Sequence, residues 1–186
     1  ESVDEMADGL DVNDLVSTAE SMCAEYLIFT AWHANMNALF PSETLARMLP
    51  GHNSQRDCVR ELIDALKPTG IRLILYVHPC DGHDFSRADQ DLVGWNDGAP
   101  YTRWNDFINA ALDETLRRYR GDVLGYWIDG GLPPQIDGGT DRLYATMRNA
   151  DPDAALIRND GEPEFEGFRD WTDYTCKETD FCPFRA

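Results

Sequence analysis

At 186 residues the chain is long enough for one domain with a sizeable core, and its 42% hydrophobic content is ordinary for a globular protein. Thirty-four Asp and Glu residues stand against 16 Lys and Arg, a formal net charge of −18, and a surface of that sign repels nucleic acid and anionic membranes. No apolar run approaches the roughly 18–20 residues that cross a bilayer, and the stretch after Glu1 has no basic or apolar leader character.

The elements alternate. Residues 13–24 are predicted as a helix with Leu15, Val16, Ala19, Met22 and Cys23 on one face. Tyr26 to Ala31 is a continuous apolar strand. Ser54 is placed to cap a second helix, with Val59, Leu62, Ile63 and Leu66 inward and Pro68-Thr69-Gly70 ending it. Ile71 to Val77 is the second strand. Thr102 is placed to cap a third helix, with Trp104, Phe107, Ile108, Ala111 and Leu112 inward and Gly121 as its stop. Val123 to Ile128 is the third strand, Thr140 to Asn149 a shorter helix, and Ala154 to Ile157 the fourth strand. Residues 161–186 read as an irregular C-terminal segment of the same single domain.

Strands that are apolar throughout are expected to be buried on both faces, as in a parallel sheet covered by helices, and helices between successive strands make βαβ crossovers. The fold class is therefore α/β, either an open doubly wound sheet or about four βα units of a (β/α)8 barrel. Neither GxGxxG after the first strand nor GxxxxGK[ST] occurs, which weakens the nucleotide-binding forms of the open sheet. Five cysteines lack CxxC spacing. Cys23 and Cys58 are read as small hydrophobes on helix faces, and the reduced state is expected for all five, although Cys176 and Cys182 are near enough in sequence to pair. The acidic excess is Asp-rich, and Lys67 and Lys177 are the only lysines. Solubility or compositional bias accounts for this, and so does adaptation to high salt.

Polar residues follow each strand abruptly: Trp32-His33-Ala34-Asn35, His78-Pro79-Cys80-Asp81, Asp129-Gly130-Gly131 and Arg158-Asn159-Asp160. In parallel α/β folds these ends share one rim, where ligands bind. Singly, each has a plain structural role: His33 closes a strand, His78 orients a turn, Asp129 forms one. Together on one rim, and with Asp129 directly after the apolar Trp127-Ile128, they point to a site, because a carboxylate at a buried strand end is costly without a partner. His52 and His83 are expected in solvated loops. Trp32, Trp95 and Trp127 are core residues or, near the rim, platforms for a sugar face.

Five segments resemble glycoside hydrolase family 29, the α-L-fucosidases. The stretch from Phe29-Thr30-Ala31-Trp32-His33-Ala34-Asn35 to Leu39-Phe40-Pro41-Ser42 is similar to that family's TAKHHDGF-L-PS segment. Arg56-Asp57-Cys58-Val59-Arg60-Glu61-Leu62 resembles its RD-V-EL helix, and Leu75-Tyr76 its LYY strand. Tyr126-Trp127-Ile128-Asp129-Gly130 is similar to its WFDG segment, and Asp151-Pro152-Asp153-Ala154 to Ile157-Arg158-Asn159 to its PDA-VIN-R segment. The family's Lys-His-His is Trp32-His33-Ala34 here, its Asp-Gly is Asn35-Met36, and its HWG segment has no counterpart.

The resemblance implies a retaining glycosidase with Asp129 as nucleophile and a second carboxyl as acid/base, for which Glu162, Glu164 and Glu178 are candidates. It also implies a fucoside-type carbohydrate substrate held by His33, His78, Asn159 and, near them, Trp32, Asn35 and Trp127. No cofactor is required. Two leading and two trailing βα units of a full barrel have no counterpart, so the chain is read as a fragment or as a reduced relative that pairs with a second copy or has lost activity. Two other readings stand beside the enzyme: a non-catalytic carbohydrate-binding or structural relative, and a metal-dependent enzyme using His33, His78 and Asp129.

Overall fold

The computed structural model describes residues 2–79, 82–129, 141–159 and 172–176. In chain order the elements are α1 (Val3–Asp8), α2 (Val12–Ser21), β1 (Tyr26–Thr30), α3 (Glu43–Met48), α4 (Cys58–Leu66), β2 (Arg72–Val77), α5 (Arg87–Val93), α6 (Thr102–Tyr119), β3 (Gly125–Asp129), α7 (Asp141–Ala150), β4 (Ala155–Asn159) and β5 (Tyr174–Cys176). The five strands form one sheet in the order β1-β2-β3-β4-β5, and every neighbouring pair is parallel. The alternation of parallel strands and helices read from the sequence is therefore present.

Local chemistry sets the boundaries. Asp11 caps α2 through the Asp14 N–H at 3.0 Å, and Asp57 caps α4 through the Arg60 N–H at 2.8 Å. The cap of α4 is thus Asp57 rather than Ser54, whose hydroxyl instead accepts from the Arg56 N–H and donates to Asp4. Thr102 is the first residue of α6 and not its cap: Tyr101 occupies that position at φ 53° and makes no capping bond. Gly121, at φ +76°, supplies the left-handed turn that follows α6. α2 stops before Met22 and Cys23, so both are exposed instead of facing inward. Cys58 is buried as expected, and burial pushes its thiol pKa up. The short helices α1, α3 and α5 lie outside the elements read from the sequence. β5 lies in the segment read as irregular.

The register divides the sheet into two faces. Leu73, Leu75 and Val77 alternate on one side with Tyr126, Ile128 and Leu156 beside them, and all are buried in a single cluster with the apolar stripes of α2, α4, α6 and α7. The opposite face carries Tyr26 and Ile28 of β1, Ile74 and Tyr76 of β2, Trp127 and Asp129 of β3, Ile157 and Asn159 of β4, and Tyr174 of β5. No described helix covers it. Tyr26 is 56% exposed and Tyr174 64%, and an apolar depression runs between them across Ile74 and Trp127. Burial on both faces, expected from the apolar runs, therefore fails for the edge strand β1, because the described helices pack on one side only.

One close approach ties β3 to β4. A Cβ at Gly125 would stand 2.1 Å from the Ala155 carbonyl oxygen, so glycine alone fits there. Four residues further along, the same pair of strands brings Asp129 level with Asn159.

Candidate active site

The open face changes character along the strands. Its amino-terminal half is mostly apolar, with Arg72 exposed at its end beside Tyr26. Its carboxyl-terminal end carries Tyr76, Asp129 and Asn159, with His78 directly after β2 and His33 three residues past β1. The strand backbones fix these positions. The Ala31 N–H donates to the Tyr76 carbonyl at 2.9 Å, which prolongs the β1–β2 pairing beyond Thr30. The loop then turns at once: the Met36 N–H donates to the His33 carbonyl at 2.7 Å, with Met36 at φ 50°.

Asp129 is the centre of the arrangement. Its Oδ1 accepts from the Asn159 amide Nδ2 at 2.7 Å, and its Oδ2 accepts from the Tyr76 hydroxyl. Both donors are uncharged, so the half-buried carboxylate is oriented without being neutralised by an ion pair with either. The His33 ring stacks on Tyr76, centroids 5.8 Å apart and planes 3° from parallel, and lies 5.0 Å from the His78 ring. One ligand atom each from His33, His78 and Asp129 falls within 4.8 Å of the other two. His78 is buried and His33 is exposed, so the cluster reaches from the sheet into solvent.

The remaining predicted residues divide. Asn159 is buried and holds Asp129. Trp127 is half-buried on the open face, level with Tyr76 and Ile157 and two residues below Asp129. Trp32 is only 1% exposed and packs against Phe40, with ring centroids 6.0 Å apart, which places it in the core. The Asn35 side chain accepts from the Asn37 N–H at 3.2 Å and so shapes its own loop. Glu162, Glu164 and Glu178 lie outside the described residues, as do Cys80 and Cys182. His52 is not a solvated loop residue: it is half-buried, its Nδ1 2.8 Å from the Asn35 carbonyl and its Nε2 3.6 Å from Asp89. His83 is exposed beside Asp84. Sequence reasoning missed the role of Tyr76. The alternation Arg72, Ile74, Tyr76, His78 puts it on the same face as His78, yet an aromatic inside a strand reads first as core.

Residues 6–183 match the family model described as alpha-L-fucosidase. The chain belongs to the alpha-L-fucosidase family. Among curated members, alpha-L-fucosidase 1 of Arabidopsis thaliana is 28% identical over 138 residues, which cover 73% of this chain and 24% of the plant protein. Among solved structures, alpha-L-fucosidase AlfC from Lactobacillus casei in complex with its alpha-L-fucose product superposes with a TM-score of 0.63 at 18% identity, over 86% of this chain and 58% of AlfC. A bacterial fucosidase bound to a monovalent iminocyclitol inhibitor gives 0.59 at 20% identity, over 83% of this chain and 36% of the other. The chain thus spans about a quarter of the curated relative and under two thirds of these solved ones. The fold it shares with them is a partial (β/α)8 arrangement, with sequential parallel strands alternating with helices.

Proposed function

We propose that the rim of this sheet is the catalytic face of a retaining α-L-fucosidase-type glycoside hydrolase, with Asp129 as nucleophile. The observation that carries the reading is the Asp129 carboxylate, held at a strand end by Asn159 and Tyr76 beside two histidines. A nucleophilic carboxylate has to be ionised and held in one orientation, and two neutral donors on separate strands do the second without neutralising the charge. Family membership supports the substrate class, a fucoside.

In this mechanism Asp129 attacks the anomeric carbon and displaces the glycosidic oxygen, which takes a proton from a second carboxyl group. The covalent fucosyl–enzyme ester is then cleaved by water, and the same carboxyl, now a base, removes the water's proton. Glu162, Glu164 and Glu178 are the proposed sources of that carboxyl. His33 and His78 are proposed to hydrogen-bond the sugar hydroxyls, and Trp127 to lie under the ring. Asn159 and Tyr76 act through Asp129 and are positioning residues.

The test is release of the aryl group from an aryl α-L-fucoside. Asp129→Asn should abolish turnover with the thermal midpoint unchanged, since the side-chain volume barely alters. Asp129→Gly should regain part of the rate with azide, giving a fucosyl azide of inverted anomeric configuration. Full turnover by Asp129→Asn would refute the assignment. Fucose binding without turnover by the intact chain would replace the hydrolase with a carbohydrate-binding protein.

A further inference from the structure

The same cluster has a second chemical capacity. Two imidazoles and one carboxylate are a donor set for borderline transition metals such as Zn²⁺, Ni²⁺ and Cu²⁺, whereas Mg²⁺ and Ca²⁺ take oxygen ligands throughout. The three ligand atoms lie within 4.8 Å of one another. Ligands bound to zinc at ~2.0–2.2 Å stand roughly 3.4 Å apart in a tetrahedron, so the cluster must contract by up to about 1.4 Å. That movement falls on His33, the exposed member, carried on the loop beyond β1. The other two are fixed: His78 follows β2 directly and is buried, and Asp129 ends β3. The outer shell is also formed, since Asn159 and Tyr76 already orient the carboxylate, and ligands supported in this way hold metal more tightly. The net charge of −18 raises the local concentration of divalent cations.

We propose that His33, His78 and Asp129 form a zinc-class metal site with one open coordination position, and that a bound metal excludes the sugar from the rim. The metal site stands on the geometry alone. The competition rests on the proposed function, because a metal on Asp129 withdraws its negative charge and fills the space from which it would attack carbon.

Titration of the reduced full chain with ZnCl₂ should show one saturable site of micromolar order, and His33→Ala and Asp129→Asn should each weaken it at least tenfold. Because His33 is exposed, its alanine variant is expected to keep the wild-type thermal midpoint in the absence of metal. With Co²⁺ as probe, visible d–d bands should appear without a thiolate charge-transfer band, which excludes ligation by Cys23 or another thiol. Saturating L-fucose should raise the apparent Kd for zinc. Absence of saturable binding, unchanged affinity in His33→Ala, or a thiolate band would overturn the metal site. Zinc binding indifferent to fucose, in a chain that binds fucose, would overturn the competition alone. Zinc binding in a chain that does not bind fucose would leave the site standing and remove the fucoside reading.

Discussion

Glu114 offers a stability test whose size follows from its hydrogen bonds. It lies in α6, and its carboxylate reaches across to the amino end of α3. Oε2 accepts from the Ser42 hydroxyl at 3.0 Å and the Thr44 N–H at 2.8 Å, and Oε1 accepts from the Glu43 N–H at 2.7 Å. Burial pushes the carboxyl pKa up, but the bonds from Thr44, Glu43 and Ser42 together outweigh it, and the pKa is lowered. Glu114→Gln keeps the shape and leaves one acceptor oxygen, so its amide nitrogen faces at least one backbone N–H. An unsatisfied N–H costs ~1–3 kcal/mol, and a lost negative charge at a helix amino end ~0.3–1 kcal/mol. Discounted for partial exposure, the expected loss is about 2 kcal/mol by urea unfolding at pH 7. A depressed folded-state pKa contributes stability that is present above the unfolded pKa and is lost as pH falls through the folded one. The gap between wild type and Glu114→Gln should therefore be full at pH 7, begin to close below about pH 4, and narrow further toward pH 3. A variant as stable as wild type at pH 7, or a gap of the same size at both pH values, would refute the reasoning.

Three further outcomes are expected. Gly125→Ala forces a methyl group to within 2.1 Å of the Ala155 carbonyl oxygen unless β3 and β4 separate, and should cost about 3 kcal/mol or more, read as a fall in thermal midpoint. Tyr119→Phe removes the 2.7 Å bond from the buried hydroxyl to Asp57 Oδ1, but Asp57 still accepts from the Arg60 N–H, so a loss near 1 kcal/mol by denaturant titration is expected. The unfolding midpoint should rise steeply between low and molar KCl, as the Debye length shrinks from ~30 Å to ~3 Å and self-repulsion among −18 charges is screened. A midpoint insensitive to salt would leave compositional bias as the explanation of the acidic surface.

The strands β1 to β4 were legible to within about two residues because each contains a short apolar run bounded by turn or polar residues. α4 and α6 were legible because their apolar spacing is strong; Leu62, Ile63, Phe107 and Leu112 are all buried as read. The short helices have signals that fall below a periodicity argument. α1, only six residues long, announces itself by the Ser2–Glu5 capping box and not by an apolar stripe. β5 has three residues, too few for alternation to register. The uncovered face was not legible because an apolar run looks the same whether its second side meets other residues or solvent. At the site, Asp129, His33 and His78 stood out together, since all three fall at or just beyond the carboxyl ends of apolar runs, which share one rim in a parallel sheet. Tyr76 did not, because its ring belongs to the sheet and only its hydroxyl to the site.

The order of strands in the sheet has a consequence for how the chain is made. Each described strand after β1 pairs with the one before it in sequence, so no described strand waits for a distant partner. A chain made amino end first presents β1 and β2 before β3, and β3 before β4 and β5. The Asp129–Asn159 contact needs β4 and so arises late. A nascent chain halted before residue 155 would carry Asp129 at a raw sheet edge, without its amide partner and without the Ala155 contact that Gly125 is shaped to receive.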